Sequence, residues 1–462
     1  MFILGYPEFM FLMLVKKYRI ELFVFFLAFL IRFFYASALQ YKFGSHVFIS
    51  FSDAETYLRM GYNILHYHTL SQVATLPFLL PDPLRTPFYP LFLAFFVCLK
   101  IPTLFIAAAQ DALVGLMAVM TYRLGLRIFE SRWVGIFAAI VLGLEPMLIY
   151  WNNLLTSDTL ASFLFLLAIY LFVFKKYYTS FFVIGLAALT RPTFLYLSSI
   201  FFLMFFYEYW HELFNKTILK INSFIYWKKF LIMILILFFS VFPWMLRNKI
   251  NFNNWGFSSN GWFAMYYFNA EKFASLKKEP YSFPPVAIDP DFHPDIPERY
   301  YTYYYEFSVV PQYKNYLFYL ISKYPIDYFK FHFVSSVIGF QNHDYKYIMD
   351  FVVRAKIPEF PQTIGNLLIR MGQNIWIIIY LFVILGFFFK EKRKYQFFLL
   401  SFYLLNNFLT GYISTVSAGG RYNMPFLPLI LLLAAYGGAC SYKYVFKLYK
   451  RHFIIINKGG SE

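Results

Sequence analysis

Apolar runs of near-spanning length recur from one end of this chain to the other, separated by short basic segments. Backbone N–H and C=O groups cannot stay unpaired in hydrocarbon, so such runs are confined to helices unless they close into a barrel. The pattern predicts an all-α polytopic membrane protein and leaves no room within the chain for a large soluble domain. Composition agrees, with 60% hydrophobic and 14% charged residues among 462 and a mean hydropathy of +0.54.

The direction of each crossing follows from the basic clusters, which belong on the cytoplasmic side. Lys16, Lys17 and Arg19 precede a first span over Leu22–Leu39, with no small-residue cleavage site beyond it, so this span reads as uncleaved. The apolar stretch Thr86–Leu99 is short and holds Pro87 and Pro90. If it crossed, Arg123, Arg127 and Arg132 would fall outside, so it reads as a juxtamembrane helix on the outer surface. Further crossings follow at Thr103–Tyr122, Trp133–Trp151 and Thr159–Phe174, then an out-and-back pair hinged at Arg191-Pro192. Phe230–Leu246, Trp376–Phe389, Phe397–Tyr412 and Met424–Ala439 complete about ten spans with both termini inside. The expected organisation is a membrane module over 1–247, holding the first outer loop 40–102. A small outer (periplasmic) domain over 248–373 follows, then C-terminal spans over 374–442 and a basic cytoplasmic tail over 443–462.

The net charge of +17 does not signal nucleic acid, because the Lys and Arg clusters sit between spans, where topology explains them. Aromatic residues make up 24% of the chain, which an A- and T-rich coding sequence explains more readily than sugar stacking does. Cys98 and Cys440 lie far apart in apolar segments and read as buried thiols, with no metal-binding cysteine set.

Acids are scarce, 24 against 41 basic residues, so an acid just outside a span is informative. Asp53 and Glu55 stand in the first outer loop, and Asp158 stands just beyond the third crossing. Each aspartate also begins a helical segment, where capping is the plainer role. The same face carries Arg85, Arg191, Arg247 and Arg421 near span ends, where the positive-inside bias should deplete them. One such arginine can snorkel to headgroups, but four beside prolines or glycines suit a phosphate-binding cluster better.

Several segments, in this order, resemble the GT-C superfamily of glycosyltransferases that use polyprenyl-phosphate-linked sugars. The nearest branch looks like the bacterial one related to protein O-mannosyltransferases (glycosyltransferase family 39) and lipid A aminoarabinose transferases. Ser52-Asp53-Ala54-Glu55-Thr56-Tyr57 looks like the family's Asp-led motif in the first outer loop, and Arg85-Thr86-Pro87-Phe88-Tyr89-Pro90 like its basic stretch before a juxtamembrane helix. Leu154-Leu155-Thr156-Ser157-Asp158, Leu189-Thr190-Arg191-Pro192, Pro243-Trp244-Met245-Leu246-Arg247-Asn248, Ser259-Asn260-Gly261 and Arg421-Tyr422-Asn423-Met424-Pro425 are similar to later family segments. Mannosyltransferases usually place Glu directly after the motif Asp, whereas Ala54 stands here and Glu55 follows, so neither sugar nor acceptor is carried over.

The resemblance implies an inverting transfer of a sugar from a polyprenyl-phosphate donor to a lipid, glycan or protein acceptor at the outer face of the inner membrane. Asp53 would be the base, with Asp158 and Glu55 as accompanying acids. Arg85, Arg191, Arg247 and Arg421 would hold the donor phosphate, and Tyr57, Asn260 and His343 would contact substrate. No cofactor or metal is required, and a divalent cation between Asp53 and Asp158 is left open. The competing readings are a flippase or transporter for lipid-linked saccharides and a glycan polymerase or ligase. Chain asymmetry, the outer domain and an absence of mid-span acids are expected to count against transport.

Overall fold

A computed structural model describes residues 15–73, 80–214, 223–281, 306–339, 362–410 and 419–458, and every regular element among them is helical. The first half holds α1 (Arg19–Phe43), α2 (Ser52–Tyr67), α3 (Phe88–Cys98), α4 (Thr103–Phe129), α5 (Arg132–Leu144), α6 (Pro146–Asn152), α7 (Ser157–Val173), α8 (Tyr177–Thr190) and α9 (Thr193–Phe214). The second half holds α10 (Ser223–Phe252), α11 (Asn260–Ala264), α12 (Glu271–Lys277), α13 (Val310–Lys323), α14 (Pro325–Gly339), α15 (Gln362–Gly386), α16 (Arg393–Thr410) and α17 (Leu427–Lys458).

The chain is a helical membrane protein. By length and composition, 4 helices among the described residues could cross a membrane, or 6 if two bent pairs each count as one span. The expected ten is larger because several of its crossings fall on short helices. Helix α7 has 17 residues and α8 has 14, against the ~20 that a perpendicular crossing takes. Another difference lies at α15 and α16, expected as two separate crossings of opposite direction, which meet at an angle of 87° across a short break. Boundaries also shift, since α10 runs on through Arg247 to Phe252 and α15 starts at Gln362. Cys98 is exposed rather than buried, and Cys440 is half-buried; both are free thiols.

Helix α17 lies at the centre, with every residue from Leu427 to Tyr436 buried. In lipid this burial acts through packing, since hydrocarbon tails are as apolar as the leucines they would touch. Close approach depends on glycine at two crossings. A Cβ on Gly125 of α4 would overlap the Cα of Gly135 in α5, and one on Gly437 would overlap the carbonyl of Phe382 in α15.

Helices α5 and α6 break at Glu145-Pro146 with a 53° bend, because proline cannot continue the α5 ladder. Arg32 of α1, with no exposed surface, occupies the break and donates to the carbonyls of Gly143 (2.6 Å) and Leu142 (3.2 Å). A buried guanidinium thereby satisfies carbonyls that the helix end leaves open.

Charged pairs divide between the two ends of the bundle. Arg123–Glu21 (3.4 Å), Lys392–Glu130 (2.6 Å) and Lys394–Glu208 (3.0 Å) tie together helix ends and turns at one of them. At the other, helices α2 and α3 and the starts of α7, α9 and α17 converge. Helices α11 to α14 carry a separate aromatic cluster that includes Tyr266, Phe273, Tyr313 and Tyr328.

Candidate functional site

Phe51 is the extended N-cap of α2 and offers no side-chain cap. Asp53, two positions further on, sits in the first turn but turns its carboxylate away from the helix end. Its Oδ1 accepts from Arg85 Nη2 at 2.9 Å and its Oδ2 from Arg421 Nη2 at 2.7 Å. Capping is therefore not what this side chain does. One turn along, Tyr57 has its ring 4.6 Å beneath the Arg85 guanidinium and its hydroxyl 3.1 Å from Ser157 Oγ.

Asp158 is delivered by the start of α7, whose N-cap is Thr156, and its side chain is 1% exposed. It pairs with Arg191 through Oδ1 and lies 3.4 Å from Arg421 Nε through Oδ2. Arg191 sits at the break between α8 and α9, where Pro192 ends the helix pattern and leaves Arg191 extended. Its guanidinium stacks on Tyr422 at 4.9 Å. Arg421, with 7% side-chain exposure, also lies over the rings of Phe51 (5.0 Å) and Trp151 (5.5 Å).

The result is one alternating chain, Arg85–Asp53–Arg421–Asp158–Arg191, drawn from five separate segments. Three guanidiniums face two carboxylates, so the cluster carries an excess positive charge in a largely dry place. Buried ions persist only where partners and hydrogen bonds offset their desolvation, which marks such clusters as functional candidates. Burial alone would raise the Asp53 carboxyl, but Arg85 and then Arg421 more than offset it and hold it well below the usual carboxylate range. Among the described residues Arg85 Nε, also buried, has no hydrogen-bond partner, which leaves it able to donate to a ligand.

Asp82 is a site residue that the sequence reading missed. It is 2% exposed, and its Oδ1 accepts from the N–H groups of Leu84 (2.7 Å) and Arg85 (2.8 Å), fixing the turn that aims Arg85. The signal was there, since Asp-Pro is a turn-initiating pair. Burial, its largest influence, raises the Asp82 carboxyl above its ordinary value despite the neighbouring N–H groups and arginines. Arg247 does not reach Asp53 or Asp158. It donates to the Asp82 carbonyl and to Asn248 Oδ1, both at 2.9 Å, and stacks on Trp244 at 4.5 Å. It thus braces the Arg85 turn from behind, helped by Ser258, whose hydroxyl donates to the Leu84 carbonyl at 2.6 Å.

The remaining expected residues lie apart. Glu55 points outward, 60% exposed, and pairs with Arg59 at 2.7 Å. Asn260 is exposed on a groove of about 530 Å³ beside Pro192 and Trp262, next to the arginine chain but outside it. His343 lies outside the described residues. The place between Asp53 and Asp158 is taken by the Arg421 guanidinium, so a divalent cation there would require that arginine to withdraw.

One expectation needs correction: mid-span acids are present. Asp111 in α4 has no exposed surface and accepts from Asn152 Nδ2, and Gln110 beside it donates to the carbonyls of Asn152 (2.7 Å) and Leu154 (3.0 Å). Their effect is visible in the site, because they hold the 152–157 loop that presents Ser157 and Asp158. A scan against family models, a search of curated proteins and a search of solved structures each return no match.

Proposed function

We propose that this membrane protein is an inverting glycosyltransferase that moves a sugar from a polyprenyl-phosphate donor to an acceptor hydroxyl at the outer face of the inner membrane. The observation that carries the reading is the arginine–aspartate chain, which offers an anion site and a carboxylate side by side at one end of a helical bundle. The gathering of basic residues at the opposite end supports a cytoplasmic location for that end and the alternate crossing of about ten segments, short ones included.

The donor phosphate competes with Asp53 and Asp158 for Arg85, Arg421 and Arg191. While both Asp53 oxygens are held by arginines, the carboxylate is a feeble base. Phosphate oxygens that draw the guanidiniums toward themselves loosen that hold and raise its proton affinity. Asp53 then takes the acceptor's hydroxyl proton as the acceptor oxygen bonds to the anomeric carbon. The bond from that carbon to the phosphate oxygen breaks, the electron pair leaves with the phosphate, and the arginines stabilise the added charge. Attack opposite the leaving group inverts the anomeric centre. Asp158 orients Arg191 and Arg421, and Tyr57 lines the approach to Asp53. Lipid, glycan and protein acceptors all carry the required hydroxyl.

A flippase for the same lipid-linked sugar is the second reading, favoured by the buried Arg32 and Asp111 between helices. A polymerase or ligase would share the donor and transfer a longer glycan. Vesicles containing the protein and a labelled polyprenyl-phosphate sugar separate these readings. The transferase releases polyprenyl phosphate and labels an acceptor, whereas a flippase moves intact donor across the bilayer with neither product.

A further inference from the structure

A second concavity lies at the other end of the bundle. Helices α7 and α8 form a hairpin. Asp158 opens α7 and Arg191 ends α8, while Lys175 and Lys176 lie at the turn between them, about 25 Å away along a helix of this length. Beside that turn is a cavity of about 470 Å³ whose wall includes Lys175, Lys176, Tyr177, Glu208, Tyr226 and Lys229.

Placing lysines near span ends needs no cavity, but here they surround one. Glu208, with an 8% exposed side chain, gathers Lys175, Lys394 (3.0 Å) and the Tyr177 hydroxyl (2.8 Å) to a single point. Its negative charge is consumed by those three donors. Lys176 and Lys229 face the same space with no acid within ion-pair distance among the described residues. Most of the remaining wall is aromatic, with the Tyr177 and Phe205 rings 5.3 Å apart and those of Phe205 and Tyr226 6.1 Å apart. Cationic rim and aromatic wall suit a ligand with an anionic head joined to apolar carbon.

We infer that this cavity binds the phosphate-bearing headgroup of an anionic membrane lipid, with Lys176 and Lys229 on the phosphate and the Tyr177–Phe205–Tyr226 wall against the glycerol and first acyl carbons. Basic pockets between membrane helices take such headgroups for the same electrostatic reason. The site lies far from Asp53, and its existence does not depend on the function proposed above.

The test uses the full-length protein, delipidated in detergent, with bound lipid counted by native mass spectrometry. Phosphatidylglycerol, cardiolipin and phosphatidylcholine are titrated separately, and inorganic phosphate is added as a competitor. The expected result is a tightly held anionic lipid that phosphatidylcholine does not replace, with affinity falling about fivefold per lysine in Lys176→Gln and Lys229→Gln. Lys176 is exposed and Lys229 half-buried, and neither is in an ion pair among the described residues, so the variants should fold. Lys443→Gln with Lys447→Gln removes the same charge from the exposed face of α17 and should leave binding unchanged. Equal losses in Lys176→Gln combined with Lys229→Gln and in Lys443→Gln combined with Lys447→Gln would overturn the inference, because the attraction would then be diffuse. Displacement of the lipid by millimolar phosphate would overturn the lipid as the ligand.

Discussion

Arg421 Nη2 lies 2.7 Å from Asp53 Oδ2, although 368 positions separate the two residues in the chain. The same guanidinium reaches Asp158 through Nε at 3.4 Å, so one arginine joins the two acids of the candidate site. It links the helix after the first long span to the start of the last one, and no local preference puts these residues together.

Asp53→Asn should separate binding from chemistry. The amide cannot take a proton, so transfer should fall by roughly 10²–10⁴-fold, the range of a lost general base. The same change removes the carboxylate that competes for Arg85 and Arg421, so a non-transferable polyprenyl-phosphate analogue should bind at least as tightly as to the native protein. Weaker analogue binding by this variant would contradict the competition between carboxylate and phosphate.

Asp158→Asn should damage the fold more than Asp53→Asn. Asp158 is 1% exposed and faces two arginines, whereas Asp53 is 26% exposed. Stranding buried guanidiniums costs about 3–5 kcal/mol, so the unfolding midpoint in detergent should drop clearly for Asp158→Asn and less for Asp53→Asn. The reverse order would contradict the burial described here.

Asp82→Asn and Asp82→Ala should differ. The amide keeps an oxygen for the N–H groups of Leu84 and Arg85, so Asp82→Asn should bind the donor analogue almost normally. Alanine frees the turn and should weaken binding by about tenfold, near the worth of one or two such hydrogen bonds. Equal behaviour of the two variants would remove Asp82 from the positioning of Arg85.

Acid stability follows from the depressed Asp53 carboxyl. A group whose folded value lies below its unfolded value of ~3.9 stabilises the fold at any pH above that value and loses this contribution as pH falls toward the folded value. The Asp53 contribution should therefore be constant from pH 8 to pH 5 and decline only in stronger acid. The difference in unfolding midpoint between native protein and Asp53→Asn measures it. A difference that already shrinks between pH 7 and pH 5 would contradict the pairing.

The helical membrane class was legible because hydropathy repeats along the whole chain. Asp53, Arg85, Asp158, Arg191 and Arg421 were legible as a set because each breaks a rule where it stands, as a rare acid or a misplaced cation near a span end. Arg32 and Asp111 stayed hidden because one charge in a long apolar run barely changes its average, and what they bond to is tertiary. Arg247 was grouped with the phosphate ligands by its position, whereas its contacts show it bracing the Asp82 turn. Glu55 joins Asp53 only through the family resemblance, since two steps along a helix turn a side chain to the opposite face, and there it pairs with Arg59.

The most direct test supplies purified protein in lipid nanodiscs with a defined polyprenyl-phosphate sugar and an acceptor extract, and measures polyprenyl phosphate released together with sugar transferred. The account predicts matched release and transfer by the native protein, and almost none by Asp53→Asn at donor levels that saturate both. Transfer by Asp53→Asn at close to the native rate, or no donor cleavage by the native protein across a panel of such sugars, would contradict it.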